Sequence, residues 1–319
     1  MLFSNIIRKK FDAVLGRYDG AQAWYYFSPA DFPDIRAERF DVKGNHGMLR
    51  GFFYFYGELS RDSLVIFDHG IGAGHLAYFR EIEVLARHGY TVYAYDHTGC
   101  VNSDGPGILG FAQGANDLDR VITAIKKDTR FGDTPVKVIG HSWGGYAAMN
   151  VAPFHPEVTH VVSLAGFLSA RALIEQYLPK FVMKYSAEVM DRERKNNPRF
   201  ADLDARESMR KSNAALLHLQ SRDDQKVKFE LCTPLLAEAL QGRERTQFIT
   251  VDSRGHDPQR TDAAAAASAE MQKRMDTLIK KKKLGTESEK RMFRQAQNWD
   301  LITQQDPEIW EQILKFLDC

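Results

Sequence analysis

Ser142 lies in "VKVIGHSWGGYAAM", residues 136–149, and its surroundings raise the question of a nucleophile. Val136 to Ile139 is a short apolar run rich in β-branched residues, which reads as a buried strand. The residues from Tyr146 onward read as a helix. Gly140-His141-Ser142-Trp143-Gly144 would then be the sharp strand-to-helix turn that presents a serine hydroxyl at the end of a sheet. Glycines suit such a turn because strand and helix pass too close to it for Cβ atoms. The plain alternative is a glycine-rich turn with a bystander serine, so the remaining chemistry has to decide.

A serine hydroxyl is a poor nucleophile until a base takes its proton, and a histidine held by a buried carboxylate is the usual base. On a strand–turn–helix scaffold the chain order is serine, acid, histidine. "LLHLQSRDDQKV" ends a strand-like run with Asp223-Asp224, and "FITVDSRGHDP" ends a later one with Gly255-His256. Taken singly, Asp-Asp after a strand is an ordinary turn or cap, and Gly-His an ordinary loop. Their joint occurrence in this order favours the catalytic reading. The run "THVVSLAGF" carries no acid at its end. Acyl chemistry also needs donors for the oxyanion that develops on the attacked carbonyl. The residue after the serine, Trp143, would supply one N–H. The loop "DHGIGAGH" would supply the other, from Ile71. That loop lacks the Lys-Ser/Thr of a nucleotide cradle.

Those residues need a framework. "AERFDVKGNHGMLRGFFYFYGE" (37–58) holds two strand-like runs around Lys43–Gly47, a hairpin signal. "SLVIFDHG", "YTVYAYDHTG", "VKVIGH", "THVVSLAG", "AALLHLQ" and "TQFITVD" follow as strands. Helical runs "YFREIEVLARHG", "GANDLDRVITAIKKD" and "DPEIWEQILKFLD" lie between or after them. This alternation predicts a mostly parallel sheet with helices on both faces and an antiparallel hairpin at its start. Two helical segments, about 168–212 and about 258–300, interrupt it. With no Pro/Gly/Ser-rich linker and no internal repeat, residues 1–319 are expected to form one domain with a helical cap and a second helical insertion.

Bulk properties narrow the function. The 319 residues are 44% hydrophobic and carry a net charge of +1, which gives no general pull toward nucleic acid. Cys100, Cys232 and Cys319 are few and widely spaced, which argues against a disulfide framework or zinc site and for a reducing, cytoplasmic setting. The ten histidines show no metal-ligand spacing, so neither metal nor cofactor is expected. No stretch approaches the roughly 20 apolar residues of a membrane span. At the N-terminus Arg8-Lys9-Lys10 interrupts any signal-peptide core. Phe3, Ile7, Phe11 and Val14 form a helical stripe, read as packing on its own domain rather than on a membrane.

The motifs "DHGIGAGH", "YDHTGCVNSDG", "GHSWGG", "LQSRDD" and "RGH" together resemble the α/β-hydrolase superfamily, and within it the monoacylglycerol lipase and S33-type serine hydrolases. The resemblance covers roughly residues 40–165 and 214–257. It implies the α/β-hydrolase fold and no cofactor. It also implies that the acid is the aspartate of a Gly-x-x-Asp-x-x-Val pattern, here Asp224 with Val227, rather than Asp223. There are departures. Ser221 replaces the pattern's glycine. Gly99-Cys100-Val101-Asn102-Ser103 stands where Gly-x-Gly-x-Ser is common. The second insertion is longer than usual for the group.

In the first insertion Leu173, Tyr177, Phe181 and Tyr185, with Ile174, Leu178 and Val182 beside them, give an apolar face broken at Pro179. That face packs on the core or lines an acyl pocket. Glu175, Glu188, Asp191 and Glu193 form a solvated face or recognise a free amino group. In the second, Met271 to Arg294 holds nine Lys or Arg against three acids, read as a soluble surface helix. Cys100 reads as a small buried packing residue. The expectation is a serine hydrolase with Ser142, Asp224 and His256 as catalytic residues. Ile71 and Trp143 serve as oxyanion donors, and a small acyl ester is the substrate. An aminopeptidase, amidase or thioesterase with the same triad is the alternative. A non-enzymatic binding protein of this fold is disfavoured because no triad residue is missing. Neither nucleic-acid binding nor stable membrane anchoring is expected.

Overall fold

The computed structural model describes residues 13–20, 25–178, 183 and 186–319. Its central sheet has eight strands in the order β1-β4-β6-β5-β7-β8-β9-β10. These are β1 (Ile35–Arg39), β4 (Gly51–Tyr56), β5 (Leu64–Asp68), β6 (Thr91–Tyr95), β7 (Val136–His141), β8 (Val158–Leu164), β9 (Ala215–Ser221) and β10 (Thr246–Val251). β1 and β4 pair antiparallel, as do β4 and β6, and every pairing from β6 to β10 is parallel. The antiparallel start expected around residues 37–58 is therefore present. Its turn is itself a small hairpin of β2 (Val42–Gly44) and β3 (Gly47–Leu49), which forms a separate two-stranded sheet.

Alternation along the strands sends side chains to two apolar layers. On β5, Leu64 and Ile66 enter one core while Val65 and Phe67 enter the other. All five β5 residues are buried, as a central parallel strand covered on both faces requires. The first layer is closed by α2 (Gln113–Lys127), through Leu118, Val121, Ile122 and Ile125, and by α3 (Trp143–Val151), whose residues are all buried. The second is closed by α1 (Phe79–Arg87), through Phe79, Ile82 and Leu85, and by α11 (Pro307–Leu317). Fully burying a single such aliphatic or aromatic side chain stabilises the fold by roughly 1.5–3 kcal/mol.

The segment between β8 and β9 contains α4 (Ala170–Tyr177), α5 (Ser186–Asn196) and α6 (Ala205–Lys211). α7 (Thr233–Ala239) follows β9. Beyond β10 come α8 (Asp262–Lys280), α9 (Glu287–Gln295) and α10 (Trp299–Ile302). These three do more than coat the surface. Met271, Leu284, Phe293, Trp299 and Ile302 are buried in the second core layer, while Lys280 to Lys283 stay exposed. Cys100 is fully buried. Phe3, Ile7 and Phe11 of the N-terminal stripe lie outside the described residues, and Val14 is exposed. Just beyond it, Arg17 Nη2 donates to Val101 O (2.7 Å) and Tyr18 N to Gly99 O (2.9 Å), strapping the loop after β6.

Candidate active site

Every candidate residue sits just past the C-terminal end of a parallel strand, where an α/β sheet leaves its loops free to converge. Ser142 separates β7 from α3 with φ 55° and ψ −108°, a backbone state that costs on the order of 1–3 kcal/mol and persists only when its surroundings impose it. The surroundings do so. A Cβ on Gly140 would lie 2.2 Å from the Gly144 carbonyl carbon, and one on Gly144 only 2.0 Å from Asp68 O. Ser142 N donates to Leu164 O (2.7 Å) on the neighbouring strand, and Tyr146 N closes the first helical turn on Ser142 O (3.0 Å). The serine thus sits at the positive end of a helix, beside N–H groups with no intrahelical acceptor.

Asp224 and His256 come from the loops after β9 and β10. Asp224 is 2% exposed, and its Oδ2 lies 2.8 Å from His256 Nδ1. Its other oxygen accepts from Lys226 N (2.9 Å) and Val227 N (3.1 Å), so the spacing to Val227 is a turn wrapped around the carboxylate. Asp223 points elsewhere. Its Oδ1 accepts from Gly255 N (2.9 Å) and from Ser221 Oγ (2.5 Å), and Ser221 Oγ accepts from Arg254 N (3.0 Å). The serine that stands where the related pattern has glycine is therefore a brace for the histidine loop. His141 stacks edge-on against His256, with centroids 4.8 Å apart at 64°, which brings the histidine loop to the residue beside Ser142.

The loop after β5 is fixed from below. His69 is fully buried, and burial together with nearby His97 lowers its pKa to about 3. Neutral, it spans two backbones: Nδ1–H donates to Gly70 O (2.8 Å) and Nε2 accepts from His97 N (3.0 Å). This pins the segment leading to Ile71. Trp143 is the first residue of α3, with its indole Nε1 donating to Phe111 O (2.5 Å). Among the described residues, no backbone carbonyl accepts from Ile71 N or Trp143 N.

Several residues of the insertions take places that the sequence did not indicate. Glu193 is neither solvated nor free to recognise an amine. It is 2% exposed and accepts from Phe111 N (2.8 Å) and Ala112 N (3.1 Å) at the start of α2. Burial raises its pKa to about 7 against those two bonds. Tyr177 does not belong to a continuous apolar face. It is 59% exposed and donates its hydroxyl to Lys226 O (2.8 Å), joined by Gln176 Nε2 (2.9 Å). α4 thereby clasps the Asp224 loop. Leu173 and Ile174 of the same face are buried in the core, and Phe181, Val182 and Tyr185 lie outside the described residues. No sequence signal marks these contacts, because each joins residues distant along the chain. Among the described residues, no group of three His, Cys, Asp or Glu is placed to hold a metal ion. No helix among them is long and apolar enough to cross a membrane.

Comparison with known proteins agrees with this architecture. An esterase of Pyrococcus furiosus superposes with a TM-score of 0.59 at 17% identity, covering 83% of this chain and 98% of that one. A dienelactone hydrolase of Klebsiella pneumoniae, itself assigned only provisionally, gives 0.55 at 15% identity over 89% and 98%. An acylaminoacyl peptidase of Pyrococcus horikoshii gives 0.54 at 14% identity over 71% and 38%. At such identities the likeness is one of fold. No curated protein matches the chain by sequence. Residues 63–229, which hold β5 through the acid loop, match the family model described as alpha/beta hydrolase fold, and the chain belongs to that family.

Proposed function

We propose that this hydrolase-fold protein is a serine hydrolase that cleaves a small carboxylic ester through an acyl-enzyme on Ser142. The observation that carries the reading is the 2.8 Å bond between the buried Asp224 carboxylate and His256 Nδ1, with the His256 ring against His141, the neighbour of a serine held in a strained turn at a helix N-terminus. In this reading His256 Nε2 takes the Ser142 proton as Oγ attacks the ester carbonyl. The Ile71 and Trp143 N–H groups stabilise the oxyanion. His256 then returns the proton to the leaving alcohol, and water, deprotonated by the same imidazole, releases the acid. Asp224 holds the imidazole in the tautomer that leaves Nε2 free. The motifs resemble those of the monoacylglycerol lipase and S33-type group, which supports a monoacylglycerol, a lysophospholipid or a similar acyl ester as the substrate class. Occupation of Glu193 by the backbone of α2 removes one of the carboxylates that an amine-recognising aminopeptidase would use. The cysteines are unpaired, which supports a reducing, cytoplasmic location.

A fluorophosphonate probe tests the reading. Wild type should be labelled and should hydrolyse p-nitrophenyl acyl esters faster than aminoacyl amides. Ser142→Ala should lose both labelling and turnover. Equal labelling of the two proteins would remove Ser142 from the mechanism, and a preference for amides would replace the ester reading.

A further inference from the structure

We propose that Tyr78 and His141 are positioning residues that tie the main chain of His256 to the loop bearing Ile71. The inference rests on the serine-hydrolase reading above. Four groups from three segments, the connection after β5, the end of β7 and the loop after β10, form one hydrogen-bonded chain. Gly70 N lies 3.2 Å from Tyr78 Oη, Tyr78 Oη lies 2.8 Å from His141 Nδ1, and His141 Nε2 lies 2.7 Å from the carbonyl oxygen of His256. The polarity of the chain is fixed. A carbonyl only accepts, so His141 Nε2 carries a proton. Its burial, with His256 close by, holds the imidazole neutral, with a pKa lowered to about 4. Nδ1 is then a bare acceptor, and the Tyr78 hydroxyl must donate to it. The Tyr78 oxygen is left to accept from Gly70 N–H. Each donor has one acceptor, with no slack for an alternative arrangement.

The ends of this chain explain its use. Gly70 precedes Ile71, His141 precedes Ser142, and the last acceptor is the backbone of His256 itself. Oxyanion donor, nucleophile and base must keep their mutual geometry through two proton transfers, and small displacements there are costly. Asp224 fixes the His256 ring through Nδ1, and His141 fixes its backbone. Packing alone does not account for the polar groups, because a phenylalanine would fill the Tyr78 site. The glycine at 70 fits the same purpose, since a Cβ there would sit 2.6 Å from Tyr78 Oη. Asp257 Oδ1, at 3.8 Å from His141 Nε2, is too far to compete for its proton.

The test compares Tyr78→Phe, His141→Phe and His141→Gln, reading kcat and KM on a short-chain p-nitrophenyl ester, fluorophosphonate labelling rate and Tm. Tyr78→Phe should lower kcat by about 10-fold and His141→Phe by about 100-fold, the scale expected for misplaced reacting groups. KM should change by less than about 3-fold, because the loss falls on the chemical step. His141→Gln keeps an N–H donor for the His256 carbonyl and should recover most of the phenylalanine loss. Wild-type kcat in folded Tyr78→Phe, a loss confined to KM, or a glutamine variant as poor as the phenylalanine one would overturn the proposal. Should His141→Phe not fold, the Tyr78→Phe and glutamine arms decide alone. A wild type that neither labels nor turns over ester sinks the serine-hydrolase reading itself and this inference with it, an outcome distinct from a labelled, active wild type whose variants match it.

Discussion

Three histidines that face aspartates lie at the same edge of the sheet, chemically alike but differently placed. At Asp96–His75 the histidine Nδ1 meets the carboxylate at 2.7 Å and its Nε2 meets Tyr54 Oη at 2.9 Å, with both partners 1% exposed. Both ring nitrogens are occupied, so this imidazole has no lone pair to offer a substrate. His97 is buried between Asp68 and Asp117. Burial alone would lower its pKa, but the two carboxylates outweigh burial and raise it, and with a carboxylate facing each ring nitrogen neither is open to a substrate. At Asp224–His256 the carboxylate takes Nδ1, and among the described residues none is hydrogen-bonded to Nε2. An aspartate next to a histidine does not make a base. A base also needs its second nitrogen open and its charge unspent.

Breaking each pair should therefore give a different phenotype. The largest effect belongs to Asp224→Asn, which should lower kcat by about 10³–10⁴-fold by leaving the imidazole in the wrong tautomer. Its Tm should remain near wild type, and steady-state kinetics with a melting curve checks both. Asp96→Asn should show the reverse. Disturbing the hydrogen bonds of a buried polar group costs about 1–3 kcal/mol of stability, read by urea unfolding, while kcat per fluorophosphonate-labelled site stays unchanged. If Asp96→Asn lost turnover at constant stability, the division into catalytic and structural pairs would fail.

Glu193 extends the comparison to a buried carboxylate held by backbone N–H groups rather than by a histidine. Its folded pKa of about 7 lies above the ordinary 4.5, so the folded state binds its proton more tightly than the unfolded chain does. Its contribution to stability is present below pH 4.5 and lost as the pH rises toward 7, about 3 kcal/mol across that window. Melting temperatures of wild type and Glu193→Gln from pH 4.5 to 8 should converge in slope only above pH 7. Parallel curves throughout would mean that the Glu193 pKa is not raised on folding. The smallest effect is expected at Asp223. It touches the Gly255 backbone rather than the imidazole, so Asp223→Asn should cost about 1 kcal/mol, a fewfold loss in kcat/KM. A loss matching that of Asp224→Asn would exchange the roles of the two aspartates.

Much of the framework was legible because it rests on local rules. The runs at 64–68, 136–141 and 215–221 are rich in apolar residues, and the structure buries all of them in the sheet except half-buried Lys137. Ser142, Asp224 and His256 were found by their position just past strand ends, and Asp224 and His256 stand within hydrogen-bonding distance. The residues alone left Asp223 and Asp224 open, and the resemblance to the Gly-x-x-Asp-x-x-Val pattern implied Asp224; the structure wraps its carboxylate in a local turn made by the N–H groups of Lys226 and Val227. The insertions were read less well. Amphipathic spacing there gave Tyr177 to the apolar face and Glu193 to solvent or an amine. Helical periodicity says which residues share a face, but not what the face meets.

The sequence by itself determined the strands and the strained turn at Ser142, since each depends on residues within a few positions of one another. Only the tertiary structure decided the protonation and purpose of the other polar groups. His75 and His256 each follow a glycine, and both meet an aspartate through Nδ1. Tyr54, 21 residues from His75, closes one of them, while nothing in the described structure closes the other. Tyr78 and His141 are 63 residues apart and meet only because β5 and β7 are neighbours in the sheet. A histidine's pKa, tautomer and open nitrogen are set by the charges and donors that surround it in space, and the packed sheet brings those together from segments that the chain itself keeps apart.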